Sequence, residues 1–118
     1  MTPVVKSLIE VLQQGIPFVE KREVSPSGDY FEGVFSREDL ARCCELLEGT
    51  FGPATKEFGQ VVRFSGQQQI LVNQIGGIQP GQCLFIKEES NRPVAFAALW
   101  PWASNPQRVT LKVGVFPR

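Results

Sequence analysis

The sequence predicts an α+β fold in which two N-terminal helices pack on a four- or five-stranded, mainly antiparallel sheet arranged as a meander. Three observations carry this expectation. Apolar residues recur at helical spacing near the N-terminus and again after Ser36. Beyond Pro53 the spacing shortens to strand-like runs divided by turn residues. A chain of 118 residues with 42% hydrophobic and 20% charged residues also has the length and composition of one compact core. We therefore expect a single domain over residues 1–118.

The first helix follows from Val4, Val5, Leu8, Ile9, Val11 and Leu12, which line one helical face opposite Lys6, Ser7, Glu10 and Gln13. Pro3 suits a first turn, where its missing amide is not needed, and Gly15 ahead of Pro17 supplies a stop. Residues 16–35 read as a loop with a short edge strand, because Ile16, Phe18 and Val24 are interrupted by the charged run Glu20–Glu23 and the turn residues Ser25–Asp29. Tyr30, Phe31, Val34 and Phe35 are expected to close over one end of the core, with an aromatic ligand platform as the alternative.

Ser36 followed by Arg37, Glu38 and Asp39 reads as an N-cap with a reciprocal acidic partner. The helix it opens carries Leu40, Cys43, Cys44, Leu47 and Phe51 on one stripe and ends near Gly49, Gly52 and Pro53. Five strands are then expected: Gln60 to Phe64, Gln69 to Gln74, Gln82 to Glu88, Val94 to Trp100 and Arg108 to Phe116. Short connections favour antiparallel neighbours, with turns at Ser65 and Gly66, at residues 75–81 and at residues 89–93. The alternation is clearest in the last strand, where Val109, Leu111, Val113 and Val115 oppose Thr110, Lys112, Gly114 and Phe116. The fourth strand is apolar on both faces, so its second face should be covered by residues 16–35 or by another chain.

Composition restricts the chemistry. Twelve basic and twelve acidic residues give zero formal charge, and there is no histidine. Catalytic triads and metal sites that need imidazole are thereby removed. Cys43, Cys44 and Cys83 form no CxxC pair and no four-ligand set, so they read as free core thiols. The pairs Asp29/Glu32 and Glu88/Glu89 lack an oxygen cage for calcium, and no metal site is expected. Gly76, Gly77 and Gly81 sit around Pro80 without a Walker A ending, which predicts turns and no nucleotide cofactor.

Arg63, Lys87, Arg92, Arg108 and Lys112 are mixed with Glu88 and Glu89, and no helix carries a basic run, so nucleic-acid binding is not expected. Gln67, Gln68 and Gln69 read as a polar hairpin shoulder. No secretory signal pattern or long apolar span is evident, which together with unpaired thiols favours a reducing, cytoplasmic location and no membrane association.

The functional expectation is a noncatalytic binding or assembly module whose aromatic and apolar contact surface involves Phe96, Leu99, Trp100 and Trp102. A homodimer, another protein or a small apolar ligand would be its partner. The alternative is a small-molecule-binding domain or small enzyme with a pocket at the helix–sheet boundary, drawing polar contacts from Asp29, Tyr30, Glu32, Cys43 or Arg63. No catalytic residue and no cofactor are assigned.

Overall fold

The computed structural model describes residues 3–64, 66–88 and 94–116. Helix α1 spans Pro3–Gly15 and buries Val5, Leu8, Ile9 and Leu12, the stripe that helical spacing singles out. Residues 16–35 supply the expected short edge strand and, beyond it, a second strand. Strand β1 (Glu20–Val24) pairs antiparallel with β2 (Tyr30–Ser36), with an irregularity between Lys21 and Glu23. The Ser25 hydroxyl builds the turn, accepting from the Asp29 and Tyr30 amides at 3.1 and 3.0 Å and donating to Asp29 Oδ1 at 2.9 Å. Gly28 supplies a positive φ of 75° there. This hairpin is hidden from periodicity because every residue of β1 is exposed, so its charged sequence carries no alternation.

Ser36 is extended but makes no side-chain cap bond, contrary to the capping expectation. A 3₁₀ turn over Arg37–Asp39 comes first, and α2 runs from Leu40 to Phe51 with Cys43 and Leu47 buried. The Arg42 guanidinium donates to the carbonyl of Gly15 at 2.9 Å and so fastens α2 to the end of α1.

Residues 60–64 form no strand, and the expected strand over residues 69–74 belongs to helix α3 (Gln67–Gln74). An apolar triplet does not distinguish helix from strand. Here Leu71 and Val72 are buried while Ile70 is 54% exposed, and glutamine-rich flanks favour helix over strand. Gly76 and Gly77, at φ of 101° and 88°, release the chain after the helix.

The remaining strands are β3 (Cys83–Lys87), β4 (Val94–Pro101) and β5 (Arg108–Phe116), a three-stranded antiparallel meander close to the expected bounds. The full sheet has the order β1-β2-β5-β4-β3, all antiparallel. Five strands are thus present, two of them supplied by the region ahead of Ser36. The turns expected at Ser65 and at residues 89–93 lie outside the described residues, as do Glu89 and Arg92.

One sheet face meets α1 and α2. Phe31 and Phe35 of β2, Val109, Leu111, Val113 and Val115 of β5, and Ala97 and Leu99 of β4 join the helical stripe in the main core. Gly33 makes room for Phe18, whose ring meets Phe31 and Phe35 edge to face: an added Cβ would stand 2.9 Å from Phe18 Cδ1 and 2.8 Å from Phe31 Cζ. The second face of β4 is covered within the chain, chiefly by α3 and its flanks, with Tyr30 as the contribution of residues 16–35. Leu71 packs with Val94 and Phe96, and Val72 packs with Leu84 and Ala98.

The β3 edge is closed by the segment after α2. Lys56 and Leu84 exchange backbone bonds of 3.0 and 2.9 Å, and the Ile86 amide donates to Thr55 Oγ1 at 3.0 Å. Lys56 is itself buried. Its Nζ donates to the carbonyls of Glu57 (2.9 Å), Pro80 (2.9 Å) and Gln82 (2.5 Å), so three main-chain dipoles stand in for a carboxylate.

Candidate functional site: a cleft beside helix α3

Helix α3 covers only the β3–β4 half of the second face. Beside it a cleft of about 620 Å³ opens over β5 and β2, lined by Glu23, Tyr30, Gln74, Ile75, Phe96, Lys112 and Phe116. The strand register explains who meets there. Tyr30 of β2 and Phe96 of β4 both pair with Gly114 of β5, so two aromatic rings converge across a residue without a side chain. A Cβ on Gly114 would lie 2.7 Å from Tyr30 Cδ1 and 3.4 Å from Phe96 Cε1. Phe116 stands two residues along the same face, and Ile75 reaches in from the end of α3.

The polar side of the cleft is a network across neighbouring strands. Lys112 pairs in register with Glu32 of β2 and Ala98 of β4, and its Nζ lies 4.0 Å from Glu32 Oε1. The Tyr30 hydroxyl donates to the same Glu32 oxygen at 3.1 Å. On its other side the Lys112 ammonium sits 4.1 Å from the centroid of the Trp100 ring. Trp100 Nε1 is buried with no hydrogen-bond partner among the described residues. Farther along β5, Trp102 Nε1 donates to Thr110 Oγ1 at 2.8 Å and the Arg22 guanidinium lies over the Trp102 ring at 5.4 Å.

The structure separates the residues expected at a contact or pocket. Phe96 and Leu99 are 3% and 0% exposed, and Leu99 points into the helix-side core, while Trp100 and Trp102 are half-buried. Of the pocket set, Tyr30 and Glu32 meet at the polar side of the cleft. Asp29 instead belongs to the hairpin turn, receiving bonds from Ser25 and Ser27, Cys43 is buried on the opposite sheet face, and Arg63 is exposed in the segment before α3. Glu23, Gln74, Ile75 and Phe116 were not singled out by sequence. Lys112 carried a usable signal, since a lysine in the middle of a strongly apolar strand marks a face that is not core.

Burial holds the thiols in their protonated form. Burial, reinforced by the neighbouring Cys44 thiol and Glu57, pushes Cys83 up to about 12, and burial raises Cys43 further still. Cys44 is raised as well, first by burial and then by Glu48 and Glu57. Among the described residues no group of three or more His, Cys, Asp or Glu is placed to hold a metal ion, and no helix is long and apolar enough to cross a membrane.

The fold and cleft together define a small α+β domain with an aromatic cluster on the second sheet face. Comparison with protein families, curated proteins and solved structures finds no match for the chain.

Proposed function

We propose that this domain is a noncatalytic binding module that holds a small, largely apolar molecule in the cleft beside α3. The observation that carries the reading is the cleft itself: about 620 Å³, with Tyr30, Ile75, Phe96 and Phe116 as walls and a few polar groups at one side. Ligand sites have this make-up, apolar surface for affinity and sparse polar groups for orientation.

An NMR titration of the protein with naphthylethanol, a neutral aromatic probe, tests the reading. Shift changes should cluster at Tyr30, Ile75, Phe96 and Phe116, and Ile75→Trp, which fills the cleft, should suppress them. Changes scattered over the helix-side face, or none, would remove the cleft as a binding site.

An assembly role draws on a different surface. Trp102, half-buried under Arg22, is the part of the expected aromatic contact with indole surface still in solvent. Sedimentation of the wild type and of Trp102→Ser separates the two: concentration-dependent dimers lost in the variant would support assembly through that edge.

A further inference from the structure

We infer that the cleft selects ligands with an anionic, acceptor-bearing head, a small carboxylate on an aromatic or alkyl body; this rests on the binding role proposed above. The ground is the state of Lys112. Its ammonium carries three N–H donors, yet among the described residues no oxygen acceptor stands within hydrogen-bond distance: Glu32 is at 4.0 Å, and on the other side the Trp100 ring faces the ammonium at 4.1 Å. Elsewhere in this protein a buried lysine is treated differently, since Lys56 spends its donors on three carbonyls at 2.5–2.9 Å. Lys112 is also held in place. The indole on one side and the carboxylate on the other fix a side chain that is only 21% exposed, so little rotamer freedom is left to lose when a ligand arrives.

Two carboxylates compete for the ammonium, Glu32 and the cleft-lining Glu23, and both are already engaged. Glu32 accepts the Tyr30 hydroxyl at 3.1 Å and partly balances Lys112, which leaves the ammonium's donors, not its full charge, as the recognition element. A ligand carboxylate beside Nζ would complete those donors with charge-assisted bonds, while its apolar body lies along Phe96, Phe116 and Ile75. An ammonium head would meet Lys112 as a like charge in the same narrow space.

Calorimetric titration with naphthylacetate, naphthylethanol and naphthylethylamine, which share a ring system and differ in head group, tests this. The acid should bind about tenfold tighter than the alcohol and the amine weakest of the three, a margin typical of one charge-assisted bond at a partly solvated site. Lys112→Met should erase the acid's advantage and keep the alcohol's affinity, whereas Lys112→Arg should retain a preference for the acid. In the wild type the same advantage should shrink as salt is raised, a readout that needs no variant to fold. Alcohol or amine binding as tightly as the acid, or an acid preference untouched by salt, would overturn the head-group assignment while leaving the cleft a binding site. Binding of none of the three would overturn the cleft reading itself, and this inference with it.

Discussion

Lys112 rests its ammonium 4.1 Å above the indole of Trp100, one strand away in the sheet, and so joins the apolar half of the second face to its polar half. A contact of this kind is worth about 1 kcal/mol when partly shielded from water. A double-mutant cycle with Lys112→Met and Trp100→Leu should therefore return a coupling near ~1 kcal/mol in chemical denaturation. Strict additivity of the two variants would mean that the stacking contributes nothing.

Lys56→Met should be among the most damaging single changes of a charged residue. It removes a donor from the carbonyls of Glu57, Pro80 and Gln82, of which the first two keep amide bonds from Gln60 and Gly59, and it loosens the segment that closes the β3 edge. A loss of about 1–3 kcal/mol is expected from the Gln82 carbonyl left without its donor and the weakened clasp. Lys21→Met, on the exposed β1, serves as the control and should stay within about 0.5 kcal/mol of wild type.

The thiols set an alkaline limit. Cys43, Cys44 and Cys83 hold their protons above the ordinary value of 9.0 because burial disfavours the thiolate, and Cys83 does so up to about 12. A folded-state pKa raised in this way gives stability that is complete below the unfolded value and falls as pH rises through the folded value. Lys56, lowered by burial against a smaller opposing pull from Cys83, contributes with the opposite sign, but one amine stands against three thiols. The melting temperature should decline above about pH 9, and Cys83→Val should flatten that decline. An unchanged slope in the variant would place the alkaline loss elsewhere.

Native alkylation offers a separate view of the same residues. Cys43 and Cys83 are 0% and 2% exposed, and Cys44 is half-buried. Mass spectrometry after brief iodoacetamide treatment should find Cys44 modified first and the other two protected until the protein is denatured. Early labelling of Cys83 would show that the β3 edge opens readily.

Gly114→Ala should strain the cleft. The new methyl would stand 2.7 Å from Tyr30 Cδ1 and 3.3 Å from the Asp29 carbonyl, so ring or strand must move, at a cost of about 1–3 kcal/mol. Placed in a Tyr30→Ser background the same substitution should cost measurably less. Equal cost in both backgrounds would assign the strain to the backbone contact instead of the ring.

Elements that bury a regular stripe were legible in the sequence. α1, α2 and β5 each present an apolar face whose spacing reports the element, and β4 betrayed its central place by being apolar on both sides. β1 is the short edge strand expected within residues 16–35, although its exposed Glu, Lys and Arg leave nothing to alternate, whereas its partner β2 was obscured by the aromatic density of Tyr30–Phe35. α3 was mistaken for a strand because Ile70, Leu71 and Val72 are contiguous, and which of them is buried depends on the sheet they land on. The cleft could not be read at all from local pattern. Its residues come from β1, β2, α3, β4 and β5, and Tyr30, Phe96 and Gly114 become neighbours only through strand register.

The sheet order has a consequence for how the chain comes together. β5 is the last strand in chain order, yet it lies in the middle of the sheet, between β2 and β4. Until it inserts, β1–β2 and β3–β4 are two hairpins that share no ladder, and a chain elongating from its N-terminus holds both in waiting. The stretch Arg108–Phe116 thus joins the two halves of the sheet, and without it β2 and β4 would each expose the edge that β5 covers.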